Sequence, residues 1–239
     1  MSSEISKKVG SEVKIEKIEI GLFNRVILYD IKIKDKKGTN IISAKRLSAK
    51  IKLRSLVNSP LTIRTIELYG AKINIYKEKE TLPYNFNFIL DSFSSNKSQT
   101  DSPIDLRIKS IILSRASVDY NIKDKPKRNG FDINHVQINE MDASIKLQII
   151  KSDSFKIRVR NLAFKEKSGF RLRRSYIIAD IYKSNFNIPI LELETNRSRI
   201  NLKDIALFFS DKNKLSGQGN INNTDINLSE ANAFFPKLN

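Results

Sequence analysis

One hydrophobic spacing recurs along this chain. Apolar or small residues fall at Ile63, Ile66, Leu68, Ala71, Ile73 and Ile75, then at Ile108, Ile111, Leu113, Ala116, Val118 and Tyr120. They fall in the same steps at Ile133, Val136, Ile138, Met141, Ala143 and Ile145. Steps of two place side chains on one face of a β-strand. Steps of three mark positions where the chain turns a corner or takes a bulge and the inward face resets. Repetition of such a unit predicts one long apolar surface assembled from many short strands.

Strand signals surround the repeats. Val13, Ile15, Ile18, Ile20, Val26, Leu28, Ile31 and Ile33 alternate with polar residues before the turn of residues 35–40. Ala44, Leu47, Ala49, Ile51 and Leu53 make the next strand, which Asn58-Ser59-Pro60 breaks. Strands continue from Phe155 through Ile157, Val159, Leu162 and Phe164, and on to Leu193. Two short helices are expected. Residues 2–9 form one, capped by Ser2 or Ser3 and ended by Gly10. Residues 86–93 form the other, with Phe86, Ile89 or Leu90, and Phe93 at helical spacing, as a plug on the sheet rim.

Residues 94–103 have linker composition, which divides the chain into an N-terminal segment 1–93 and a continuation 104–239. Near the C-terminus, Ile200, Leu202, Asp204, Ile205, Leu207, Phe208 and Phe209 are echoed by Ile226, Leu228, Glu230, Ala231, Ala233, Phe234 and Phe235. Each copy predicts a strand closed by one helical turn, with the acid in the first turn where the helix dipole favours it. Phe234-Phe235-Pro236 leaves apolar side chains nothing to pack on, which predicts that the natural protein continues.

Composition narrows the chemistry. The chain of 239 residues has no Cys, so disulfides and thiolate metal sites are excluded. Its one histidine, His135, sits in a strand pattern and is expected on the solvent side. No Gly-rich phosphate loop, His-Glu-x-x-His or Gly-x-Ser-x-Gly occurs. The carboxylate pairs Glu192/Glu194 and Glu78/Glu80 lie at strand spacing and are expected to meet solvent or lysine. The expectation is a protein that is not an enzyme, with no catalytic, cofactor or metal site.

The formal charge is +17. It suits an anionic partner, nucleic acid or a phospholipid surface, and equally a lysine-rich background composition. The basic residues are spread as the polar half of alternation, without a dense block, so no nucleic-acid stripe is visible. No stretch approaches the length of a transmembrane helix, and the N-terminus lacks the apolar core of a signal peptide.

The order of these features resembles the TamB and AsmA-like family of Gram-negative bacteria, in particular TamB-like proteins of the Bacteroidetes type. Val13–Asp35 is similar to that family's opening strand pair, and Ile42–Ile51, Ile63–Tyr76, Tyr84–Phe93, Leu162–Phe170 and Ile226–Pro236 follow in the family's order. The resemblance implies an all-β fold with minor short helices, an elongated curved sheet forming a U-shaped apolar groove. It implies a periplasmic segment of a protein held to the inner membrane by an anchor absent from this chain. Implied partners are phospholipid acyl chains and a BamA/TamA-type outer-membrane protein. Ile63, Ile66, Leu68, Ile73, Ile75, Ile108, Ile111, Leu113, Val118, Ile133, Val136, Ile138 and Ile145 are the candidate groove lining.

Three readings remain open at the level of sequence. One is a conduit that shields lipid acyl chains for transport between membranes. The second is a scaffold or chaperone for outer-membrane strands, pairing with them along sheet edges. The third is a basic β-domain that binds nucleic acid, which requires aromatic rings on the lysine face.

Overall fold

A computed structural model describes residues 6, 10–51, 62–88, 107–151, 154–182, 185–209 and 215–231. The expected helix at 2–9, the greater part of that at 86–93, and the linker 94–103 fall outside these. The fold is all-β, as the alternation predicts. Its strands are β1 (Val13–Lys14), β2 (Lys17–Gly21), β3 (Arg25–Lys34), β4 (Asn40–Ile51), β5 (Thr62–Tyr69), β6 (Lys72–Lys77), β7 (Arg107–Ile108) and β8 (Ser110–Ile122). They continue with β9 (His135–Lys151), β10 (Ser154–Glu166), β11 (Arg171–Tyr182), β12 (Asn185–Thr195), β13 (Arg199–Phe209) and β14 (Leu215–Ile221). One helical turn, α1, covers Leu228–Ala231.

The chain divides into two compact units, residues 1–140 and 141–239. Strands on either side of 94–103 pair with each other inside the first unit. There the strand order is β1-β3-β4-β5-β8-β9, with β2 on β3 and with β6 paired to β4 and β8. In the second unit β10 to β14 follow one another in chain order, joined by antiparallel pairings.

The first unit contains one parallel junction, and the repeat explains it. Ile63 pairs with Ile108, Ile66 with Ile111, Leu68 with Leu113, Ile73 with Val118 and Ile75 with Tyr120. The first two copies of the repeat therefore lie side by side in register. A parallel pair needs a long crossover, and residues 78–106 supply it.

The second step of three in each copy holds a residue in the left-handed region. Within the three copies these are Gly70 (φ 60°), Arg115 (φ 51°) and Glu140 (φ 51°). The same feature appears at Asp30, Asn161 and Asp204. Counted from Val26, Ile66, Ile111, Val136, Ile157 and Ile200, apolar residues follow at the second, fifth and seventh positions, and the fourth has positive φ. The motif thus occurs six times, three times more than the longer spacing reveals. A left-handed residue at this point breaks the alternation, so that the apolar residues beyond it return to the face of those before it, while the pairings stay in step across Asp30, Gly70, Arg115 and Asn161.

At Gly70 the conformation and the surroundings both require glycine. Its φ is positive, and an added Cβ would meet Lys45 Cγ and Cδ at 3.2 Å.

Two expectations are corrected here. Residues 200–209 form a continuous strand with a bulge at Asp204, not a strand ending in a helical turn. Continued hydrogen bonding to β12 and β14 outweighs the local helical pattern. In the second echo α1 does form, but Glu230 reaches away from it. Its carboxylate accepts hydrogen bonds from Thr195 Oγ1 and Ser198 Oγ (2.6 Å) at the β12–β13 turn. Burial raises the pKa of Glu230, and these hydroxyls together with the N–H groups of Arg197 and Asn196 outweigh burial and hold it below the ordinary carboxylate value.

His135 is also not on the solvent side. Its side chain is nearly buried, with Nδ1 2.8 Å from Asp132 Oδ2. Asp132 also accepts from the N–H groups of Arg128 and Asn134 and so pins the β8–β9 loop.

Candidate functional site

Strand register assigns each side chain to a face. In the first unit Ile20, Val26, Ala49, Ile66 and Ile111 form one row across β2, β3, β4, β5 and β8. Ile18, Leu28, Leu47, Leu68 and Leu113 form the next. Val13, Ile33, Ile42, Ile73 and Val118 form a third, across β1, β3, β4, β6 and β8. Five strands at the usual spacing make each row about 19 Å wide. No polar side chain interrupts them.

The second unit repeats the arrangement. Val159, Ile177, Leu191 and Leu202 form one row across β10 to β13. Beyond the Asp204 bulge, Ile188 faces Ile205 and Phe186 faces Leu207. The bulge therefore keeps the apolar side chains on the same face on both sides of itself.

The rows are neither sealed nor bare. Ile66, Leu68, Ile73, Ile111, Val118, Ile177, Leu191 and Leu202 are half-buried. Neighbours in the row shield their flanks. Among the described residues twelve hydrophobic side chains are buried, and five of these are alanines. Ile41 is the one large side chain fully enclosed. Two sheets packed face to face would enclose many large aliphatic side chains between them. This distribution is that of a sheet whose apolar face has no second layer of described residues upon it.

Of the thirteen predicted lining residues, Ile63, Ile66, Leu68, Ile73, Ile75, Ile108, Ile111, Leu113 and Val118 are brought into register with one another by the strand pairings. Val136 and Ile138 flank Gln137, whose amide donates to Asp119 on the opposite face, so they share the apolar parity. Ile145 is half-buried in β9. Ile133 differs: it lies in the turn before β9 and is 71% exposed. The spacing missed Val26, Leu28, Ile33, Ile42, Leu47 and Ala49, which complete the rows.

The two ends of the first unit's apolar face are unlike. One is closed by aromatic rings. Asn85 extends the sheet by accepting from Tyr76 N–H and donating to Asn74 O, at 3.1 and 2.9 Å. That places Tyr84 and Phe86 stacked at 5.4 Å, with Tyr120 at 6.3 Å from Tyr84. Burial, then the Tyr84 hydroxyl, raises the Tyr120 pKa. Glu78 ties this end to Lys37 and Lys123, at 2.6 and 3.0 Å. The other end is the β2–β3 hairpin tip, where Ile20 is 89%, Leu22 82% and Phe23 81% exposed.

Behind the closed end, the Tyr76 hydroxyl donates to Asp35, and the Lys123 ammonium lies 3.8 Å from the Tyr76 ring centroid. Burial first, then the Asp35 hydrogen bond, pushes the Tyr76 phenol up from 10.0 to about 12. The unfolded chain therefore ionises this phenol first. Its stabilisation is complete below the unfolded value and is lost as pH rises toward the folded one. Between those two values the urea midpoint should fall with pH, and Tyr76→Phe should flatten that part of the curve. An unchanged slope in the variant would contradict the assignment.

The opposite face is polar and basic. Across it run Lys17, Tyr29, Arg46, Tyr69 and Arg115. Lys17 lies 5.8 Å from the Tyr29 ring, and Arg46 and Arg115 lie 5.8 and 5.7 Å from the Tyr69 ring. The sequence reading missed these rings on the lysine face; alternate parity in neighbouring strands was the available signal. They are half-buried and already engaged. The Tyr29 hydroxyl donates to Glu19, and Arg115 donates to the Tyr69 oxygen.

Each unit also carries a polar hollow. That of the second unit, about 640 Å³, is bordered by Arg160, Tyr176, Glu192, Arg199 and Lys203. That of the first, about 430 Å³, is bordered by Ser43, Lys72, Asn74, Asp119 and Gln137. Among the described residues no cluster of three His, Asp or Glu side chains could hold a metal ion. No helix among them is long and apolar enough to cross a membrane.

No known family model matches the chain, and no curated protein does.

Proposed function

We propose that the apolar face of this sheet shields phospholipid acyl chains, as a segment of a periplasmic conduit of the TamB and AsmA-like kind that serves outer-membrane biogenesis. The observation that carries the reading is the row architecture: aliphatic side chains in register across five strands, half-buried, with no described layer covering them. Burial of one CH₂ is worth roughly 0.8 kcal/mol, so an acyl chain of about 16 carbons gains on the order of 12 kcal/mol when it is shielded. A gap in the lining forfeits part of that gain at every passage. The six left-handed residues that reset the alternation avoid such gaps.

Mass spectrometry of lipid extracted from the purified protein tests the proposal. Phospholipid should be recovered in stoichiometric amount, at far more than the level of an unrelated protein purified in parallel. A scaffold for outer-membrane strands would instead yield lipid-free protein whose crosslinks to client strands run along a sheet edge. That result would overturn the conduit.

A further inference from the structure

The β2–β3 hairpin tip is unlike the rest of the surface. Three large apolar side chains, Ile20, Leu22 and Phe23, project from one turn and are more than four-fifths exposed. Phe23 and Asn24 hold φ of 59° and 62°. An aromatic residue in that region is strained, and strain of this kind gathers at functional positions. The hairpin turn calls for positive φ at these positions, where asparagine and glycine are usual and a bulky aromatic residue is not.

Three observations say what it meets. Ile20 is the outermost member of the row Ile20, Val26, Ala49, Ile66 and Ile111, so the tip continues the apolar face. The opposite end of that face is stoppered by Tyr84, Phe86 and Tyr120. Charge near the tip is positive. Arg25 and Lys50 face each other across β3 and β4 and Arg64 is exposed on β5; the two nearby acids are already paired, Glu67 with Arg25 at 3.3 Å and Glu19 with Lys17 at 2.6 Å. Apolar side chains on a narrow turn above a basic collar suit the headgroup and acyl boundary of an anionic bilayer.

We propose that the tip, through Ile20, Leu22 and Phe23, seats in the interfacial layer of an anionic phospholipid bilayer and presents the open end of the apolar rows to it. The purpose assigned to this seating rests on the conduit reading; the seating itself does not.

The chain has no tryptophan, so Phe23→Trp places a single fluorophore at the tip. In buffer its emission should be that of a solvated indole. On mixed phosphatidylcholine and phosphatidylglycerol vesicles it should shift to the blue and become shielded from iodide, and Leu82→Trp should not change. Leu22→Ser with Phe23→Ser, both in the turn and outside the rows, should weaken co-flotation with these vesicles by roughly tenfold while the protein's extractable lipid stays the same. Emission unchanged by vesicles overturns the proposal. So does emission already blue in dilute buffer, which would mean that the chain's own residues cover the tip. Blue emission that appears with protein concentration, without vesicles, would assign the tip to a second copy and overturns it too. Vesicle binding without extractable lipid would remove the conduit and keep the seat; the reverse would remove the seat alone.

Discussion

Deletion of Arg115 should unfold the N-terminal unit, whereas Arg115→Gly should leave it folded. Arg115 is the left-handed residue of β8, with φ 51°, at which the alternation resets. Without it the strand beyond would advance by one residue, and a one-residue slip exchanges the two faces. Val118 and Tyr120 would leave the apolar row, and Asp119 and Asn121 would enter it, opposite Ile73 and Ile75. The lost half-burial of Val118 and Tyr120 costs roughly 2–3 kcal/mol, and a carboxylate set among aliphatic side chains adds to it. A domain holds about 5–15 kcal/mol in total. Glycine keeps the count and adopts the left-handed conformation readily, at the loss of the guanidinium contact with Tyr69. Far-UV circular dichroism and urea unfolding of both variants decide the matter. A folded deletion variant with wild-type stability would show that these left-handed residues do not set the parity of the face.

Leu68→Glu should remain folded and lose its lipid. Leu68 is the fourth member of the row Ile18, Leu28, Leu47, Leu68 and Leu113, and it is half-buried. On an uncovered face the carboxylate can reach water, so the cost is the lost half-burial of leucine, about 1–2 kcal/mol. Inside a sealed core the same charge would cost more than about 4 kcal/mol and would abolish folding of a marginal unit. For an acyl chain the single carboxylate is a break in the lining, and recovered phospholipid should drop several-fold. A variant that fails to fold would contradict the uncovered face. A variant that folds and carries the full lipid load would contradict the route along this row.

Alternation made the all-β fold legible because the period of two is imposed by the pleat and survives any tertiary context. The step of three was legible as a break but not as a backbone state. Glycine at position 70 hints at positive φ, whereas Arg115 and Glu140 give no such hint. Asp204 shows the limit of local reading. Its neighbours Ile205, Leu207 and Phe208 fit a helical turn, and only the ladders to β12 and β14 decide for strand. The other three copies of the motif escaped notice because the apolar residue three places before them is missing or masked by a neighbouring pattern.

The parallel pairing of β5 and β6 with β8 was equally hidden. Equal spacing in two copies says that the copies are alike, not that they are neighbours. His135 was misjudged because nothing in its strand pattern shows that Asp132 folds back to meet it. The candidate residues fall into register with one another where the repeat is complete. The reading failed at Ile133, where the pattern begins one turn before the strand does.

Adjacent residues on opposite faces provide the most direct test. A photo-crosslinking phenylalanine analogue at Leu68 faces the apolar rows, and one at Glu67 faces the basic side. On irradiation of the protein in its native membrane extract, position 68 should acquire the mass of a phospholipid and position 67 should not. Equal labelling at both positions, or no lipid adduct at position 68, would contradict an acyl-chain path along the aliphatic face.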